Sequence, residues 1–172
     1  MESLRLVKEA KKGDQEALLK LVMDQKQEFY KLAFVYMKNQ EDAMDVMQEM
    51  IVILYDNIGK LKNEEAFYSW SKTILVNCCK NELRKKKKVI FLEDLKAETS
   101  KGTYENIDER IELEIQVEQL KIKYKDVIKL RYYLDLEYKT IAELLKIPIG
   151  TVKSRLSIGL DKLKKRIGGE LK

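Results

Sequence analysis

The sequence predicts an all-α fold made of two small helical domains joined by a flexible acidic linker. Three observations predict it. One proline and seven glycines in a leucine-, isoleucine- and lysine-rich chain of 172 residues favour helices over a turn-dense β architecture. Apolar residues recur at three- and four-residue spacing through residues 1–90 and again through 113–172. Between them, residues 91–112 carry Glu93, Asp94, Glu98, Glu105, Asp108, Glu109 and Glu112 with Thr99, Ser100 and Gly102, the composition of a solvated linker.

The elements follow in order. Leu4, Val7 and Ala10 mark a first helix, and Ala17, Leu18, Leu21 and Val22 a second. Gly13-Asp14 separates them, and the Asp14 carboxylate is placed to cap the second run. Phe29 to Met37 continues the pattern, Asn39-Gln40-Glu41-Asp42 reads as a break, and a further helix is expected from about Ala43 to Asn57. Gly59–Asn63 reads as a loop, and Glu65–Lys88 as a long helix with a basic end. The helical pattern returns near Leu113 with Ile115, Leu120, Ile122, Tyr124, Val127, Ile128 and Leu130. Two short helices, Lys139–Leu145 and Ile149–Ile167, then flank Lys146-Ile147-Pro148.

Composition narrows the chemistry. The chain has no histidine, so it lacks the commonest general base and the commonest metal ligand. Its two cysteines, Cys78 and Cys79, are adjacent, point about 100° apart on a helix, and are expected to be reduced and partly buried. No metal or cofactor site is expected. The formal charge of +5 permits nucleic-acid binding without requiring it. No signal peptide or membrane-length apolar run is seen, which predicts a soluble cytoplasmic protein.

Two helices separated by a three-residue break form a helix-turn-helix pattern. Ile141, Ala142 and Leu145 of the first, and Val152, Leu156 and Leu160 of the second, are expected to face inward. Thr151, Lys153, Ser154, Arg155 and Ser157 then lie at the amino end of the second helix, the part that meets base edges in a major groove. Lys162, Lys164, Lys165 and Arg166 can follow the phosphate backbone. A solvated basic hairpin is the plainer alternative.

The string Tyr138-Lys139-Thr140-Ile141-Ala142-Glu143, then Gly150-Thr151-Val152-Lys153-Ser154-Arg155, with Leu130-Arg131-Tyr132 before it, resembles region four of the extracytoplasmic-function sigma factors. The resemblance covers nearly the whole chain. It implies that residues 1–90 are region two and 113–172 region four. It also implies that Arg131, Lys139, Thr140, Thr151, Lys153, Ser154, Arg155 and Ser157 meet minus-thirty-five promoter DNA.

Asp45, Gln48 and Glu49 form one polar patch at i, i+3 and i+4, and resemble the family's motif for docking on the clamp helices of the polymerase largest subunit. Phe67–Asn77 is similar to its promoter-melting helix. There the resemblance implies a minus-ten role for Leu61, Lys62, Asn63, Trp70, Asn77, Lys80, Asn81 and Arg84, with Lys85–Lys88 on the backbone. Trp70 has a competing reading as core. Implied partners are core RNA polymerase (clamp helices and flap), promoter DNA and a membrane-bound anti-sigma factor, without a small-molecule substrate. The acidic linker is expected to run through the polymerase's nascent-RNA path.

Several positions depart from the family pattern. Lys121 stands where a proline is common, Lys146 replaces the turn glycine, and Ser157-Ile158 replaces larger or basic residues. Gly159 is expected to loosen its helix by up to ~1 kcal/mol relative to alanine. The rival readings are a regulator that dimerises through residues 1–90 and binds duplex without polymerase, an enzyme such as a recombinase with a helix-turn-helix tail, and a scaffold or RNA-binding module.

Overall fold

The computed structural model describes residues 1–94 and 109–168, with only the backbone described for residues 90–94. Among these residues there are nine α-helices and no strand. The chain divides into two compact units, Met1–Glu93 and a second that begins at Asp94. The expected linker, 91–112, lies outside the described residues from 95 to 108. Its ends differ from expectation: 91–94 continue a helix, and Glu109 already starts the next.

In the first unit α1 (Glu2–Lys11) packs on α2 (Gln15–Asp24). Gly13 makes the turn at φ 100°, and the Asp14 carboxylate accepts from Ala17 N–H at 3.1 Å, the cap read from the sequence. After Gln25 comes α3 (Lys26–Met37), packed on α4 (Gln40–Asn57). The four-residue break expected before α4 is only its cap. Asn39 Oδ1 accepts from Asp42 N–H at 2.8 Å, so Gln40 is already helical. Two 3-10 turns, Ile58–Lys60 and Glu64–Ala66, lead into α5 (Phe67–Asp94), which outlasts its expected end at Lys88. Leu21, Phe29, Met50, Leu54, Phe67 and Leu75 fill the core. Cys78 and Cys79 are both buried and unpaired with each other.

In the second unit α6 (Glu109–Glu118), α7 (Ile122–Ile128), a π turn (Lys129–Tyr133), α8 (Tyr138–Leu145) and α9 (Ile149–Gly168) gather around Val127, Leu130, Ile141 and Val152. Glu109 and Glu112 lie in the first turn of α6, where carboxylates suit the positive end of the helix dipole. Lys121 precedes α7 with φ −58°, the value a proline would impose. Glu118, at the end of α6, pairs with the buried Lys129 and lies 3.3 Å from Lys125 Nζ, tying α6 to α7 and the π turn.

Two expectations about this core need correction. Leu144 is buried in α8 while Leu145 is half-buried, and in α9 the stripe runs Val152, Leu156, Gly159, Leu163 with Leu160 only half-buried. A helix turns 3.6 residues per turn, so an inward stripe advances by three as well as four.

Gly159 also has a different part. A Cβ there would lie 2.8 Å from Ile128 Cδ1 and 3.2 Å from Tyr124 Cβ, so the missing side chain is what lets α9 sit on α7. Alanine gains helix propensity of up to ~1 kcal/mol but must displace Ile128, at about 1–3 kcal/mol. Gly159→Ala is therefore expected to lower stability by up to about 2 kcal/mol net in chemical denaturation. A bulkier Gly159→Leu is expected to lower it further.

Candidate nucleic-acid interfaces

Burial of Ala43, Val46, Met47, Met50 and Leu54 turns the other side of α4 outward. Asp45 and Gln48 are exposed and Glu49 is half-buried, so the three share the face that their spacing predicts. Val52 and Tyr55, both exposed, continue it along the helix. Glu49 also borders a shallow groove with Asn81, Arg84, Lys85 and Lys88 of α5. One carboxylate thus stands at the meeting of the two faces that the sequence reading kept apart.

On α5, Leu75, Val76, Cys78 and Cys79 point inward. Asn77, Asn81 and Arg84 are exposed at i, i+4 and i+7, with Lys80 half-buried beside them. This is an amide-and-cation face suited to base edges and phosphates. The remaining expected residues divide. Lys62 and Asn63 are exposed, but Leu61 is 8% exposed and belongs to the core. Asn63 Oδ1 accepts from Glu65 N–H at 3.1 Å and caps the turn before α5. Trp70 is half-buried with its ring centroid 6.3 Å from that of Phe67, between the two readings offered for it. Burial pushes the Cys78 thiol up to about 11 and the Cys79 thiol to about 12, so neither is a nucleophile at neutral pH.

In the second unit, α8 and α9 are joined through Lys146, whose φ of 55° and ψ of 47° are left-handed. This is the conformation a glycine usually supplies at a helix end. Lys139 and Thr140 are exposed on α8. At the start of α9, Lys153, Ser154 and Ser157 are exposed while Thr151 and Arg155 are half-buried. Ser154 Oγ donates to the Thr151 carbonyl at 3.1 Å. Arg131 is engaged internally. Its Nη1 donates to the Leu136 carbonyl at 2.9 Å, and the guanidinium stands 5.1 Å from the Tyr138 ring centroid. Among the described residues no group of three or more His, Cys, Asp or Glu could hold a metal ion, and no helix is long and apolar enough to cross a membrane.

Two family models match: Sigma-70 region 2 over residues 21–89, and Sigma-70, region 4 over residues 110–163. The chain is 38% identical to RNA polymerase sigma factor SigV of Bacillus subtilis, over 81% of this chain and 84% of that protein. It is 34% identical to the ECF RNA polymerase sigma factor SigW of the same organism, over 94% of each. The fold is similar to that of CnrH, solved in complex with the cytosolic domain of CnrY, with a TM-score of 0.67 and 18% identity over 98% of this chain and 99% of that one. It is also similar to the sigma factor RpoE of Bartonella quintana, solved in complex with the anti-sigma factor NepR, at a TM-score of 0.61 and 18% identity over 87% and 95%.

Two residues at this interface escape a reading by motif. Asp42 and Asn39 form a reciprocal cap, with Asn39 Nδ2 donating to Asp42 Oδ2 at 2.6 Å, and Asp42 also pairs with Lys86 of the basic cluster. The signal was available: an amide followed three residues later by a carboxylate is a capping pattern. Lys86, then Asn39, hold the Asp42 carboxyl below the ordinary aspartate range. A depressed carboxylate contributes stability above its ordinary pKa and loses it as pH falls through the lowered one. An NMR titration is expected to place Asp42 below its value in Lys86→Ala, with the α4 amino end loosening only at the acid end.

Proposed function

The chain belongs to the extracytoplasmic-function sigma factors, and from that premise we propose that it binds core RNA polymerase and directs initiation at its own set of promoters. It acts as an initiation factor and does no covalent chemistry itself. The observation that carries this is that one chain holds two compact units, each presenting a polar face on a helix whose other side is core. In the first unit, the carboxylates and amide of Asp45, Gln48 and Glu49 suit arginines of the polymerase clamp helices. Asn77, Lys80, Asn81 and Arg84, with Lys62 and Asn63, suit the melted minus-ten strand. In the second, the amino end of α9 suits the major groove at minus thirty-five, with Thr151, Ser154, Arg155 and Ser157 nearest the bases and the flap of polymerase as the holder of this unit.

Neither unit needs high affinity alone. Polymerase holds both on one promoter, so the second contact forms at high effective concentration. The two solved proteins of like fold are each complexes, one with an anti-sigma factor and one with a cytosolic domain. By analogy, an anti-sigma factor at the membrane restrains this chain in the cytoplasm until it is released.

Run-off transcription with purified core polymerase on genomic fragments tests the reading. Promoter-specific transcripts are expected, and Asp45→Ala combined with Glu49→Ala is expected to abolish them through lost core binding. Arg155→Ala is expected to weaken promoter use about 5- to 150-fold, the worth of one good base contact at ~1–3 kcal/mol, with core binding intact. A chain that ignores core polymerase but binds a duplex tightly by itself would favour the stand-alone regulator.

A further inference from the structure

Tyr138, the first residue of α8, has cations from two other elements near its ring. The Arg131 guanidinium carbon, from the π turn, is 5.1 Å from its centroid. Lys153 Nζ, from the amino end of α9, is 5.9 Å away. Each lies within the range of a cation–π attraction. Tyr138 is 38% exposed, so the arrangement sits at the surface.

Both cations are constrained by more than the ring. Arg131 Nη1 donates to the Leu136 carbonyl at 2.9 Å, and its guanidinium lies 3.9 Å from the Asp135 carboxylate. Leu136 N–H in turn donates to the Leu130 carbonyl at 3.1 Å, closing the 131–136 loop upon itself. The Leu136 bond takes one of the five guanidinium N–H donors of Arg131 and fixes its position. Lys153 has the ring on one side, which biases its long side chain toward α8 and away from Ser154 and Ser157.

We propose that Tyr138 is a positioning residue for DNA: its ring holds Lys153 and Arg131 as a cationic ledge that grips backbone phosphate beside the groove. Base reading is then left to Thr151, Ser154, Arg155 and Ser157. The chemistry on each side differs. A lysine held against an aromatic is a point charge with its ammonium still open to a phosphate, whereas bidentate guanine reading needs a side chain directed at the base edge. Holding the cation before binding also lowers the ordering cost that an unrestrained lysine meets on contact. The inference rests on the sigma-factor reading, since the ledge matters only if α9 enters promoter DNA.

The test uses the full chain with core polymerase on a promoter fragment recovered by run-off selection, and compares Tyr138→Phe with Tyr138→Leu. Phenylalanine keeps the ring and is expected to bind as wild type. Leucine keeps bulk without the ring face, and is expected to weaken promoter binding about three- to tenfold, by the cost of ordering the released side chain. That loss should be uniform across minus-thirty-five variants, with the slope of log affinity against log salt reduced by up to about 1, the signature of a lost phosphate contact. Lys153→Ala should remove most of the difference between the two Tyr138 variants. Equal behaviour of Phe and Leu overturns the proposal, as does a Leu variant that binds more tightly or changes which minus-thirty-five sequence is preferred. Failure of wild-type holoenzyme to select any promoter overturns instead the function on which the proposal stands.

Discussion

Helices α4, α5 and α9 each bury an apolar stripe inside their own unit. At 3.6 residues per turn the positions left over fall on the opposite face in fixed registers. Burial of Val46, Met50 and Leu54 therefore puts Asp45 and Gln48 outward, and burial of Leu75, Cys78 and Cys79 does the same for Asn77 and Asn81. Val152, Leu156 and Leu163 leave Lys153, Ser154 and Ser157 outward. The proposed recognition faces are thus the complement of the cores. A substitution that rotated a stripe by one residue would damage stability and recognition together.

The outward face is not uniformly available, because some of its charge is used to hold backbone in place. Lys86 meets Asp42, which caps α4 through Asn39. Arg131 closes the loop before α8. Lys129 is buried against Glu118 between α6 and the π turn. A paired ammonium or guanidinium offers fewer donors to an incoming phosphate, so a count of cations along the chain overstates the surface that DNA can use. The basic run of α5 is the clearest instance: Lys85 lies 3.9 Å from Glu82 and Lys86 is on Asp42.

The outline was legible because periodicity and punctuation both spoke for it. Ala17, Leu18, Leu21 and Val22 marked α2, Asp14 announced its start, and the Asp45, Gln48, Glu49 spacing placed those three on one face. What was missed lies where local signals are weak or where distant residues decide. Asn39 looked like part of a gap, since a cap and a loop share the same residue types. Leu61 looked like part of an open loop, although its side chain turns into the core. Gly159 read as a weakness because sequence shows its lost propensity and not Ile128 and Tyr124 on the neighbouring helix. The internal ties of Arg131 and Lys86 join residues through folded geometry, which spacing cannot reveal.

The departures from the family pattern separate what fixes the fold from what tunes recognition. Lys146 holds the left-handed turn without glycine and Lys121 holds a proline-like φ without the ring, so both backbone shapes are imposed by packing on either side. The left-handed lysine costs on the order of 1 kcal/mol, which the α8–α9 contact offsets. Ser157 and Ile158 are different: both are exposed, and no core residue depends on them. Changes there alter what the helix meets while leaving its seat on α7 unchanged. A helical reader built this way can drift in sequence preference at its outer face while Val152, Leu156, Gly159 and Leu163 keep it docked.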